Sequence, residues 1–390
     1  MKLRLLYLYR NLTRNPLRTA LTCASVAFPI MIYVLSMAVV DGVQRFLDNS
    51  ARQLRLAVTQ KTSIANPLPA GHRARMESLD PSRTRLVAVC AMRWIGGQRE
   101  NDPVPLSTIA VDADTFVAAF PEQNLTPDEI AAWQRDKQAL IVGRSTAAQL
   151  GWKAGDRVSL RPSVPPYIPL EFHIISTAEK AEDNITNFFR RDYLEDVLRE
   201  AGMPEGVVTF FFVKCGSQAD LHHFRTKIDE LFAGSPDETK TQDEKTFMNE
   251  FITQQFDLPR NLTILSALTV FVATMAAANT MSMNFRDRIG ELATLKSLGF
   301  GGRYAFGLIQ AEGLALCAVG GLIGAAGPYV AFTHTALRNV SLPIIQSLEI
   351  HPVTCVRALL IALAIGALAA AWPSWAAARM RVVTALRSLE

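Results

Sequence analysis

No phosphate-cradling G-x-x-x-x-G-K-[ST] run occurs in the 390 residues, so the chain has no Walker A site of its own. HExxH, CxxC and GxSxG are missing as well, since Gly216-Ser217 lacks the rest of a nucleophile elbow. The six histidines are scattered, and the adjacent His222 and His223 are poorly placed to share a metal, which favours ordinary surface and loop roles. No catalytic residue, metal ligand or cofactor is expected. The chain reads as a non-enzyme, and any enzymology has to come from a partner.

Charge is also scarce. Asp, Glu, Lys and Arg make up 19% of the residues, against roughly 25% in soluble domains, and they vanish from residues 19–40, 261–285, 313–337 and 358–378. Each window exceeds the roughly 18 apolar residues that mark a spanning helix, because about 20 residues at 1.5 Å rise cross a hydrocarbon core of about 30 Å. The expected fold is an α-helical membrane protein with four transmembrane helices in a 1+3 arrangement. The net charge of +4 is too small to suggest nucleic acid.

What charge there is has a direction. Lys2, Arg4, Arg10, Arg14 and Arg18 precede the first window; Arg286, Arg288, Lys296 and Arg303 lie between the second and third; Arg379, Arg381 and Arg387 follow the fourth. The positive-inside rule places both termini and residues 286–303 in the cytoplasm. Residues 41–260 and the loop 338–357 then face outward. Cys90 and Cys215 share that outer compartment, where a disulfide between them stays open although no framework spacing supports it. Cys23 and Cys317 in spans, and Cys355 close to one, read as small packing residues.

Taken in order, residues 1–18 interleave leucines and tyrosines with basic residues, as an amphipathic helix at the inner membrane surface would, with its arginines against anionic lipids. The alternative is the n-region of a signal peptide with Ser36-x-Ala38 as its cleavage site. An uncharged run of 22 residues rather than 7 to 15, behind so long a basic lead-in, favours an uncleaved anchor with a kink at Pro29. Val43, Phe46, Leu47, Ala51 and Leu54 continue the helical spacing into water, and Phe247, Phe251 and Ile252 repeat it before the second span. Two such rods predict stalks that pack together.

Between the rods the composition is that of a soluble α/β domain. Strands are predicted at 86–90, 107–111 and 207–213, and helices at 127–137 and 219–232. The stretch 139–160 reads as a strand ending at Gly143, a helix closed by Gly151, and a Gly155-Asp156 turn into a second strand. In the third span Glu312 is the one ionisable residue, a candidate intramembrane polar site for which a structural salt link is favoured over contact with substrate. Gly320, Gly321, Gly324 and Gly327 follow in small-xxx-small spacing, for packing within the protomer or with a second copy. Trp372-Pro373-Ser374-Trp375 suits an exit from the last span.

A short charged segment stands between the second and third spans, Arg288-x-x-Glu291-Leu-Ala-Thr-Leu-Lys-Ser-Leu-Gly299, with Ile289, Leu292 and Leu295 or Leu298 at helical spacing and Gly299 as its stop. It resembles the "RxxEIGxLRALG" segment of FtsX/MacB-type permease subunits of ABC transporters. The start, Leu8-Tyr-Arg-Asn-Leu-Thr-Arg-Asn-Pro-Leu-Arg-Thr19, is similar to that family's basic "RNLxRNxLRT" lead-in. The 141–160 stretch resembles the "LGxxxGDxV" turn of its extracytoplasmic core domain. Glu312 with the glycine ladder resembles the start of its third span, and the close from Pro373 to Arg387 is similar to "PxxxAARxxPxEALR". Ala293, Val383 and Thr384 depart from the pattern, replacing the usual glycine, proline and glutamate. The wording around Glu291 to Phe300 resembles the DevC-like exporter branch.

The resemblance implies a MacB-like outer domain over 42–256 with helical stalks, and spans at 19–41, 260–285, 304–337 and 358–378. Residues 1–18 become a cytoplasmic lead-in helix, 286–303 a cytoplasmic coupling segment, 338–357 an outer loop and 379–390 a cytoplasmic tail. It further implies a multi-pass protein of the bacterial inner membrane. A separate cytoplasmic ABC ATPase would dock on 286–303, with Arg288, Glu291, Leu295, Lys296 and Gly299 as the coupling residues, Leu295 buried in the interface and the charges at its rim. A second permease copy, as homodimer or heterodimer, is implied, along with membrane lipids and a periplasmic adaptor with an outer-membrane channel. The expected function is export or extraction of an amphiphilic, lipidic or drug-like substrate by mechanotransmission to the outer domain. The alternatives are an FtsX-like signalling regulator of a periplasmic hydrolase and a membrane-tethered receptor or enzyme without an ATPase.

Overall fold

The computed structural model describes residues 16–99, 102–179, 181, 185–255, 258–335 and 348–380. The expected lead-in helix over 1–18 falls mostly (1–15), the expected tail mostly (381–390) and the expected outer loop in part (338–347) outside the described residues. The chain divides at 43/44 and 256/257 into two units. The helices are α1 (Pro16–Arg52), α2 (His72–Glu77), α3 (Phe116–Ala119), α4 (Pro127–Arg135), α5 (Arg144–Leu150), α6 (Arg191–Glu200), α7 (Gln218–Phe232), α8 (Glu244–Gln255), α9 (Leu258–Asp287), α10 (Ile289–Ser297), α11 (Gly302–His334) and α12 (Pro352–Arg379).

Four of these, α1, α9, α11 and α12, are long and apolar enough to cross a membrane. Helix is the form such runs take, because it satisfies every backbone polar group internally. Hydroxyls in α9 fold back in the same way: Ser266, Thr274 and Thr280 donate to the carbonyls of Leu262, Val270 and Ala276, one turn earlier. Pro373, expected at an exit, lies inside α12, which runs on to Arg379.

The 44–256 unit is a mixed α/β domain. Its strands are β1 (Arg55–Gln60), β2 (Leu68–Pro69), β3 (Leu86–Trp94), β4 (Gly97–Arg99), β5 (Asp102–Leu106), β6 (Thr108–Val111), β7 (Ala139–Ile141), β8 (Arg157–Leu160), β9 (Leu170–Ser176), β10 (Asn187–Arg190), β11 (Val207–Val208), β12 (Phe210–Cys215) and β13 (Thr239–Asp243). Nine of them form one sheet in the order β13-β1-β12-β3-β6-β10-β7-β9-β8. The β6–β10 and β7–β9 pairs are parallel and the other pairs antiparallel.

Strand alternation divides the core. Ala57, Cys90, Met92, Phe210 and Phe212 face one side, with Phe116, Trp133 and Phe247. Leu56, Val58, Val89, Ala91, Phe211, Val213 and Cys215 face the other, under Phe224, Ile228 and Phe232 of α7. Both faces are covered, which is why Phe210 to Val213 is apolar without a break. The same parity rules out the open disulfide: Cys90 and Cys215 lie on opposite faces, each buried and free. Burial pushes both thiols up to about 12.

Thr126 and Glu129 close a reciprocal capping box ahead of α4, with Thr126 N donating to Glu129 Oε2 at 2.7 Å. Gly151 (φ +70°) and Gly155 (φ +95°) hold the left-handed conformations the 139–160 reading requires. The expected strand at 207–213 is two elements, because β11 leaves the main sheet to pair with β2. On the stalks, α1 stops at Arg52 rather than continuing through Leu54, whose φ is +50°. Phe247 and Ile252 of α8 are buried, while Phe251 is exposed. Asp48 and Lys245 join the two rods at 2.7 Å.

Candidate coupling site

After Asp287 ends α9, Arg288 caps a separate short helix, α10. Its C-terminus closes as a Schellman motif: Gly299, at φ +94°, donates its N–H to Lys296 O (3.1 Å), and Phe300 N reaches Leu295 O (3.2 Å). Only glycine adopts that φ without strain, so Gly299 sets where α10 stops. A second turn at Gly301 starts α11.

One face of α10 is buried against the two helices that follow it. Leu292 packs with Ala305, Leu308 and Ile309 of α11 and Ala377 of α12, with Phe285, Leu295 and Met380 around them. Polar contacts hold both ends. Arg288 Nη1 donates to Glu312 Oε2 at 2.8 Å, tying the front of α10 to α11. Lys296 Nζ donates to the carbonyls of Ala378 (2.9 Å) and Met380 (2.8 Å) at the end of α12. A cation there satisfies carbonyls that the helix leaves without partners and complements its dipole. Partial burial draws the Lys296 ammonium down from its ordinary value.

The sequence-predicted residues are thus brought together, but turned differently from the expectation. Arg288 and Lys296 point into their own chain and Leu295 packs on it; Glu291 lines a cleft with Asn284, Arg288 and Glu312. The apolar side chains left outward are Leu298, 72% exposed, and Phe300, 43% exposed, at the tip beyond the helix. Sequence spacing allowed Leu298 as an alternative to Leu295, whereas Phe300 had no periodic signal. Ala293, where the resembling family has glycine, is wholly buried.

The glycine ladder also has its partners within the chain. A methyl on Gly320 would lie 2.7 Å from Cys23 O and 3.1 Å from Val26 Cβ, and one on Gly324 would meet Ala27 and Ile30, so this edge receives α1. Gly313, with a built methyl 2.7 Å from Ala370 Cβ, and Gly321, against Ala362, receive α12. Gly327 has nothing within 4 Å. The ladder's close contacts are used up inside the protomer, and it gives no argument for a second copy. Gln310 donates to Ala367 O (3.0 Å) and accepts from the buried Ser374 (3.1 Å), so the polar groups between α11 and α12 satisfy one another.

His222 and His223 are exposed. Among the described residues no group of three His, Cys, Asp or Glu side chains could hold a metal ion.

Four apolar helices with an α/β unit inserted between the first two define a multi-pass membrane protein of 1+3 plan. Residues 263–382, which include α10, α11 and α12, match a family model described as FtsX-like permease C-terminal. The chain is similar to the periplasmic region of MacB from Actinobacillus actinomycetemcomitans at 7% identity and a TM-score of 0.35, over 51% of this chain and 92% of that one. It is also similar to the extracellular domain of the noncanonic ABC-type transporter YknZ from Gram-positive bacteria at 9% identity and a TM-score of 0.34, over 48% and 99%.

Proposed function

We propose that this chain is the permease subunit of an ABC transporter whose ATPase is a separate polypeptide. In this reading the 286–303 segment is cytoplasmic and residues 42–256 face outward, as the distribution of Lys and Arg favours. The ATPase seats on the tip of α10, and its nucleotide cycle moves the helices that carry the outer domain. The substrate class is amphiphilic, lipidic or drug-like, and the transport is export or extraction.

The observation that carries the reading is the combination at α10. A short helix is bound to α11 by Arg288–Glu312 and to the end of α12 by Lys296, and it presents Leu298 and Phe300 outward. A protruding apolar pair on a firmly seated helix is what a partner needs if a push is to reach the spans instead of bending a loop. Gly299 matters by shaping that tip. Arg288, Leu295 and Lys296 then act from behind the interface, and Glu291 borders it.

The test is purification of the complex from native membranes with the wild-type chain and with Leu298→Asp/Phe300→Asp. Wild type should bring down an ABC ATPase in stoichiometric amount and stimulate its turnover. The double variant should reach the membrane at normal level and lose both. Retention of the ATPase and its stimulation by the variant would refute the docking assignment.

A further inference from the structure

The chain passes between α1 and the outer sheet at Arg55, and between the sheet and α8 at Glu244. These two residues meet. Arg55 Nε donates to Glu244 Oε2 at 2.7 Å and Nη2 to Oε1 at 2.9 Å, a bidentate pair. Its Nη1 donates to Ala119 O at 2.9 Å and also pairs with Glu122, and the guanidinium lies 4.3 Å from the centre of the Phe120 ring. The Arg55, Glu244 and Glu122 side chains are 3%, 6% and 10% exposed. Lys214, opposite Arg55 in β12, donates to Gln53 O at 2.5 Å, fixing the two residues that link α1 to β1.

This cluster is a costly way to hold a fold together. Taking a guanidinium and two carboxylates out of water is expensive, and replacing such groups with apolar ones of similar volume is often neutral or stabilising. What the bidentate pair supplies and an apolar contact does not is direction: a planar fork has one low-energy register with its carboxylate. It sits where the two helices that join the outer domain to the rest of the chain enter that domain, three residues past the end of one and on the first residue of the other.

We propose that Arg55, Glu244 and Glu122 form a locking junction that sets the outer ends of α1 and α8 at one fixed relation, so that a displacement of either reaches β1 and β12 as movement of the whole sheet. They are positioning residues. The role as a relay rests on the transport reading above, but the lock itself does not, and its test needs no ATPase.

The full-length chain is placed in lipid nanodiscs with Cys355→Ala, and the exposed Ala51 and Asn249 are replaced by cysteine for spin labels; the other four cysteines are buried. Wild type should give one narrow distance distribution between the labels. Glu244→Gln, which keeps a hydrogen bond and removes the charge, should broaden it. The apolar triple replacement Arg55→Met/Glu122→Leu/Glu244→Leu should broaden it by at least about twofold, with the thermal midpoint unchanged or raised. A triple variant as narrow as wild type overturns the proposal. So does one that broadens only in step with a lowered midpoint, which would make the cluster a brace for stability. If the junction broadens as expected while the wild-type chain brings down no ABC ATPase, the lock stands and the transport reading falls.

Discussion

Replacing Gly320 with alanine adds one methyl group to α11, and the geometry says what that methyl meets. It would stand 2.7 Å from the carbonyl oxygen of Cys23 and 3.1 Å from Val26 Cβ, both on α1. Ordinary contact is several tenths of an ångström longer, and the nearest atom is backbone, so relief requires the two helices to separate. Overpacking of this kind costs about 1–3 kcal/mol. Alanine is also the better helix former by about 1 kcal/mol, which works in the opposite direction. Gly307→Ala, thirteen residues earlier on α11, controls for that gain, because nothing beyond its chain neighbours and its own helix backbone lies within 4 Å of its added methyl. Propensity cancels between the two variants, leaving Gly320→Ala less stable than Gly307→Ala by about 1–3 kcal/mol. Denaturant titration of the detergent-solubilised chain, followed by circular dichroism, measures the difference. Equal midpoints, or a lower one for Gly307→Ala, would refute the packing described for α1 and α11.

The Arg288–Glu312 pair is partly exposed, so Glu312→Leu should destabilise by about 1–3 kcal/mol rather than by the full cost of a stranded buried charge. Arg288→Leu/Glu312→Leu should cost less than the sum of the single changes, and strict additivity in that cycle would mean the two side chains do not interact. Cys90 and Cys215, at about 12 against an ordinary 9.0, should resist maleimide at pH 8 in the folded chain and react once it unfolds. The raised values also set the sign of a pH effect. Below about pH 9 both thiols are neutral in either state, and between 9 and 12 only the unfolded chain ionises, so stability should fall as pH rises through that window. A midpoint independent of pH across it would show that the two thiols are not held neutral in the fold.

Charge-free length was enough to find four helices, because the cost of an unpaired backbone group in hydrocarbon leaves few other forms for such a run. Turn chemistry was equally legible: Gly151, Gly155 and Gly299 are needed for their φ. All of these depend on neighbours in sequence. Pairing does not. The β9 strand inserts between β7 and β8, and β11 leaves the line of β12, through contacts that spacing along the chain does not encode.

Side-chain direction marks the same division at the coupling segment. Composition alone singled out Arg288, Glu291 and Lys296 as a charged interruption between apolar runs, and the Gly299 stop delimited their helix. Whether those charges face a partner or their own chain depends on where α11 and α12 return. Glu312 lies 24 residues after Arg288, and the carbonyls that hold Lys296 lie 82 and 84 residues beyond it. Arg55 and Glu244 are 189 residues apart and carry no motif. Which stretches are helical, apolar or turning follows from the order of residues, because those preferences are satisfied locally. Which polar groups are spent inside the chain and which surfaces remain for a partner depends on the folded arrangement, because a charge is neutralised by whatever the fold brings within about 3 Å of it.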